Sequence, residues 1–165
     1  MKKRNIILII ISIVLVIIIG IALVVFLNYN NSTSNKDENI SISLDELDKK
    51  IEQSNEFEFS KMNPITDDEA SAKFLIDKSK IKRIIGREPI VHTKSGMYVV
   101  IETDSDNIQD VKLALESYGR EYDEEWKSYL IDQYELVKNR EIGIRGNYVY
   151  MIVSENPEKV IDLIK

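Results

Sequence analysis

The chain has no cysteine. That excludes disulfides, thiolate zinc sites, a cysteine nucleophile and a lipid-modified N-terminal cysteine. Histidine occurs once, as His92. An imidazole can serve as a base or a metal ligand, but no grouping of serine or carboxylate residues near His92 suggests a partner, and it is read as a solvated turn residue. Basic residues are in deficit, 22 against 28 acidic ones. A nucleic-acid binder needs a basic face for the phosphates, and a domain lying flat on anionic lipid needs one for the headgroups, so the charge balance argues against both. No cofactor and no metal are expected.

What the sequence does have is one long apolar run. Ile6 to Leu27 is 22 residues of Ile, Leu and Val broken only by Ser12 and Gly20 among its few exceptions. As a helix it would be ~33 Å long, enough to cross a hydrocarbon layer of about 30 Å. Inside lipid every backbone donor and acceptor must be satisfied within the segment, and a helix is the single-segment solution, whatever the β-branched content costs in water. The run exceeds the apolar core of a cleavable signal, and Asn28 to Asn31 offers no small-x-small cleavage site. Lys2, Lys3 and Arg4 precede the span, and no cation lies within eight residues after it. The charge asymmetry keeps the N-terminus cytoplasmic and puts the rest outside the cell membrane.

The expected organisation is therefore a cytoplasmic N-terminus over 1–5, a transmembrane anchor over 6–27, a flexible tether over 28–42 and an extracytoplasmic domain over 43–165. The tether is polar and aperiodic and cannot bury enough apolar surface to order itself. Within it Asn30 and Asn31 match the N-x-S/T acceptor pattern. Without its three leading cations the chain carries 19 basic against 28 acidic residues. An exported domain without disulfides points to a bacterial cell envelope.

In the domain, Ser43 with Glu46 and Thr66 with Glu69 read as capping boxes, the second after Pro64. The acids Asp67, Asp68 and Glu69 belong to a first helical turn, where the helix dipole favours them. Ile84 to Val91, broken by Gly86 and Pro89, reads as an edge strand, and Met97 to Thr103 as a stronger one. Ile108, Val111, Leu115, Tyr118, Tyr122 and Trp126 follow the 3-4 spacing of the longest helix. The segment from Asp104 to Asp110 looks like the start of a calcium loop, but Ile108 and Gln109 stand where an oxygen ligand and a glycine are needed. A short turn or helix over Ile131 to Val137 leads to Glu141 to Arg145 and Tyr148 to Val153, which flank Gly146-Asn147 as a tight hairpin. Pro157 opens a last helix. The fold class is α+β, with a four-stranded antiparallel sheet in β-β-α-β-β-α order and helices on one face.

Two features bear on chemistry. Tyr118, Tyr122, Trp126, Tyr129 and Tyr134 form an aromatic series that suits core packing; its members Trp126, Tyr129 and Tyr134 are the candidate ligand or partner surface, since ring faces beside acids also stack on sugars. Glu121, Asp123, Glu124 and Glu125 crowd within five residues. Paired carboxylates hydrolyse glycosides when they flank a cleft, yet four acids on one helix more commonly form a solvated face.

From about Asp68 to Lys165, Tyr129-Leu130, Gln133-Tyr134, Gly146-Asn147-Tyr148 and Ser154-Glu155 resemble an uncharacterised domain family of Gram-positive bacteria. The resemblance implies a small exported protein tethered by lipid or a membrane helix, and no activity. The chain departs from that pattern in having Ile131-Asp132 where a Pro-acid pair is usual, which bears on the geometry of that turn. It also lacks the anchoring cysteine, which changes only the tether. The expected function is a non-enzymatic binding or scaffolding module that engages an envelope protein or wall polysaccharide. The alternative is an enzyme or enzyme accessory acting on that polysaccharide through the acids near the aromatic series. Protease added to intact protoplasts is expected to digest the C-terminal domain; its full protection would reject the topology.

Overall fold

The computed structural model describes residues 42–165. The anchor over 6–27 and nearly all of the tether lie outside the described residues, among which no helix is long and apolar enough to cross a membrane. Helix α1 (Leu44–Gln53) starts where the Ser43 side chain accepts the Glu46 backbone N–H at 3.3 Å, and its Leu44, Leu47 and Ile51 form one buried stripe. A three-residue strand, β1 (Met62–Pro64), follows. Helix α2 (Asp67–Phe74) opens on a complete capping box, in which the Glu69 carboxylate accepts the Thr66 N–H at 2.8 Å. It stops at Leu75, which adopts the left-handed conformation at φ +53°.

Strands β2 (Arg83–Pro89) and β3 (Met97–Glu102) lead into helix α3 (Ile108–Trp126). Helix α4 (Ile131–Lys138), strands β4 (Glu141–Arg145) and β5 (Tyr148–Val153) and the short helix α5 (Pro157–Ile161) complete the domain. The five strands form one sheet in the order β1-β2-β3-β5-β4, with every neighbouring pair antiparallel. The β4–β5 hairpin closes on Gly146 at φ +53°, a conformation open to glycine at no steric cost and suited to a two-residue turn.

Both faces of this sheet are apolar. Met97, Val99, Ile101, Val149, Met151 and Val153 bury against α2, α3 and α4, with Phe74, Val111, Leu115, Tyr122 and Val137 among the packing partners. Tyr98, Val100, Tyr150 and Ile152 point the other way, into a second core closed by Leu44, Leu47 and Ile51 of α1 and by Val160, Ile161 and Ile164 at α5. Each buried Val, Ile or Leu contributes about 1.5–3 kcal/mol, so neither face is left bare.

The α+β class and the antiparallel sheet match the sequence reading, and two finer expectations are corrected. Helices cover both faces rather than one, because β3 and β5 are continuous apolar runs and the second face needs its own layer. The sheet has five strands rather than four. The extra strand, β1, is short and contains Pro64, too little for an alternation signal, and it displaces β2 from the edge: Met62 pairs with Pro89 and Pro64 with Arg87. Pro89 sits at the last residue of β2, where a missing donor costs little.

The sheet has two distinct ends. At one, Arg83 faces Glu102 and Arg145 faces Tyr148. The chain enters the domain there: Ile42 donates its N–H to the Lys165 carbonyl at 3.2 Å, and Tyr148 donates its hydroxyl to the Ile42 carbonyl at 3.3 Å. The opposite end carries the 90–96 loop and the exit of β5, with Met97 across from Val153.

Candidate functional site

Residues spaced by four on α3 share one flank, and here that flank carries aromatic rings in unbroken contact. Phe74 of α2 meets Tyr118 edge-on at 4.9 Å, Tyr118 stacks on Tyr122 at 5.5 Å, Tyr122 meets Trp126 at 5.9 Å, and Trp126 meets Tyr129 at 5.6 Å. The series begins in the core and ends in solvent. Trp126 is 3 % exposed and Tyr129 58 %. The Trp126 Nε1 is buried without an acceptor among the described residues.

Of the three residues singled out from the sequence, Trp126 and Tyr129 are thus brought together, with Trp126 sealed beneath the surface and its faces closed to a ligand. Tyr134 is half-buried on α4 against the core, with the Lys138 ammonium 5.5 Å above its ring centre. With the cation over its ring it is not an open platform. Ile131, the first residue of α4 and two positions after Tyr129, is the most exposed large apolar residue described, at 83 %.

The start of α4 and the body of α3 are tied to the 90–96 loop by buried polar contacts. The Ser95 N–H donates to Gln133 Oε1 at 3.0 Å, the Ser95 hydroxyl donates to the Gln133 carbonyl at 3.0 Å, and the Tyr122 hydroxyl donates to the Ser95 carbonyl at 3.0 Å. The Gln133 amide donates in turn to Asp132 Oδ2 at 3.0 Å, a bond that holds the Asp132 carboxyl below its ordinary range. Ser95 and Gln133 are buried; with their donors and acceptors matched they fix the loop rather than destabilise it. The loop bears Ile90 and Val91, each about half exposed. Four of the six exposed large apolar residues described, Ile90, Val91, Tyr129 and Ile131, therefore border one rigid end of the sheet. His92 is exposed on the same loop, as the sequence suggested.

Of the remaining two, Leu113 lies on α3, and Leu75 lines a shallow groove between α2 and α3. Lys73, Phe74, Leu75, Ala114, Tyr118 and Glu121 line it, and its volume is about 120 Å³, room for a few water molecules. The Lys73–Glu88 ion pair stands at its rim.

The four crowded acids diverge. Glu121 lies on this groove, whereas Asp123 takes both terminal nitrogens of Arg140 at 2.7 Å and Glu124 pairs with Lys127. Arg140 reaches Asp123 over Gly119, where a Cβ would come within 2.7 Å of its Nε. Asp123 is thus committed to holding α3 against the start of β4. Among the described residues no group of three or more His, Asp or Glu side chains is placed to hold a metal ion.

Sequence reasoning missed one polar cluster, on the second face. Arg87 of β2 donates to Asp48 of α1 at 3.0 Å, Tyr98 of β3 donates to the other oxygen of the same carboxylate, and Phe59 lies under the guanidinium with its ring centre 4.5 Å away. Phe57 and Phe59 flank the Tyr98 ring at 5.2 and 6.0 Å. The arrangement fastens α1 to the sheet. No spacing rule points to it, since Asp48 lies far along the chain from Arg87 and Tyr98.

The structure defines a small mixed α+β domain built on one five-stranded antiparallel sheet, with four exposed apolar residues near one end of it. The chain belongs to the family of the domain of unknown function DUF4358, whose model matches residues 55–154. That segment holds all five strands with α2, α3 and α4, while α1 and α5 lie outside it. No curated protein and no solved structure matches the chain.

Burial raises the phenol pKa values of Tyr98, Tyr118 and Tyr122 well above the ordinary tyrosine value, with Asp48 adding to the effect at Tyr98. A raised native pKa means that the native state keeps its proton while the unfolded chain loses it above pH ~10, so stability is intact below that pH and falls as pH rises beyond it. The expected slope is up to about 1.4 kcal/mol per pH unit for each such tyrosine. Urea unfolding between pH 9 and 11, with phenolate absorbance followed in parallel, checks this; a flat stability profile across that range would contradict the buried placement.

Proposed function

We propose that the chain is a single-pass, membrane-anchored extracytoplasmic protein whose domain binds or scaffolds another component of the bacterial cell envelope, without catalysis of its own. The observation that carries the binding role is the pinned end of the sheet, where Tyr129 and Ile131 stand exposed beside Ile90 and Val91. Exposed apolar groups held on a rigid frame suit recognition, because little conformational entropy is lost when a partner covers them. They lie at the end of the sheet opposite Ile42. The apolar run over Ile6–Leu27 and the cations before it support the placement in the membrane. A partner can be an envelope protein or a wall polysaccharide, Tyr129 offering a ring face to either.

Replacing Tyr129 and Ile131 together by serine is expected to leave folding intact, since both side chains are mostly exposed and Tyr129 touches the core only at the Trp126 ring, and to weaken binding to envelope material at least ten-fold. The check is co-sedimentation of the purified full chain, in detergent, with isolated cell walls and with solubilised envelope proteins from its own cells. Equal retention of the native and the doubly substituted chain would reject this end as the binding surface, and no retention of either would reject the binding role.

A further inference from the structure

The two edges of the sheet differ in how they end. β1 is three residues long and carries Pro64, the usual devices for blunting an edge. β4 has five residues, no proline and no lysine, and among the described residues no strand pairs with its outer side. The two-residue turn makes Arg145 and Tyr148 the closing pair of the hairpin, so alternate residues Ile142 and Ile144 direct their N–H and C=O groups away from β5. Neither residue has a backbone partner there among the described residues.

From this we infer that β4 is a self-association edge, and that two copies of the chain join by pairing their β4 strands antiparallel about Gly143. The sequence of the strand, Glu-Ile-Gly-Ile-Arg, is complementary to its own reversal. Centred on Gly143, Ile142 of one copy exchanges both hydrogen bonds with Ile144 of the other, and the relation repeats across the two-fold axis, which satisfies all four outward groups on each chain. The same register places Glu141 directly opposite Arg145 twice. Neither residue has an ion-pair partner among the described residues; Arg145 makes one long bond, 3.3 Å, to the Ile164 carbonyl.

Side chains agree with this register. Ile142 and Ile144 are half-buried on the α3 face and become cross-strand neighbours that cover each other's remaining surface. On the other face Gly143 leaves its place to the Tyr150 ring, which packs over it, so nothing bulky projects at the axis. Shifting by two residues in either direction would leave one isoleucine of each chain unpaired and separate Glu141 from Arg145. The partner this edge fits is therefore a second copy of the chain rather than an arbitrary strand.

The absence of native cysteine allows a direct test in membranes. A long-tagged chain carrying Glu141→Cys and a short-tagged chain carrying Arg145→Cys are produced together, and the membranes are oxidised with copper phenanthroline. Glu141 is exposed and Arg145 half-buried at the sheet edge, and neither belongs to an apolar core. In the inferred register these positions form a non-hydrogen-bonded pair with Cα atoms ~4.5 Å apart. Two copies of the same variant keep their cysteines ~13 Å apart, beyond the ~7 Å that a disulfide spans. The mixed-size disulfide dimer is expected to exceed either same-size dimer at least ten-fold. Absence of the mixed dimer, or same-size dimers of comparable yield, would overturn the inference.

Discussion

The pairing of β3 with β5 is the constraint on which the rest of the domain depends. From Met97↔Val153 to Glu102↔Tyr148 the two strands run in register through the middle of the sheet, and residues 97–101 and 149–153 are buried without a break. In a strand successive side chains point to opposite faces, so a pair apolar at every position exposes two greasy surfaces, not one. Each must be covered. α3, with α2 and α4, answers the first face, and α1 with α5 answers the second. The layered architecture is thus a consequence of composition in two short segments rather than of helix propensity.

The two coverings are attached differently. α3 is held by a broad apolar stripe and by the Asp123–Arg140 bridge, whose two 2.7 Å bonds fix the helix against the start of β4. α1 is only ten residues long, too short to persist by itself, and it relies on Leu44, Leu47 and Ile51 together with the Asp48–Arg87–Tyr98 cluster. Partly buried ion pairs of this kind add modest net stability but fix geometry, since removing one partner strands the other charge. The segment matched by the family model stops short of both α1 and α5. The second face of the shared sheet is accordingly closed by flanking segments that the family model does not include.

Much of this was legible in the sequence, and the misses have physical causes. The capping box at Thr66 and Glu69, the long α3 stripe and the Gly146-Asn147 hairpin are local signals, set by residues within a few positions of one another, and they formed as read. Helix α2 ends at Phe74, because Leu75 turns left-handed. The second helical layer was not expected because the residues that close it, among them Leu44, Leu47, Ile51, Val160 and Ile164, lie far along the chain from Tyr98 and Val100. β1 escaped because a three-residue strand with a proline carries no period. Of the candidate site residues, Tyr129 is exposed, whereas Trp126, the last residue of α3, is buried. The Ser95–Gln133 lock joins residues 38 positions apart, and the Arg87–Asp48 pair residues 39 apart; no spacing rule reports on such contacts.

Amide hydrogen exchange on the full chain in detergent micelles tests the primacy of the central strand pair most directly. The account predicts that the amides of Val99, Val100, Met151 and Ile152 exchange slowest and only through global unfolding, and that protected amides of α1 and α3 share that same opening event. Slowest exchange confined to α3, or exchange of β3 and β5 while α3 remains protected, would contradict it.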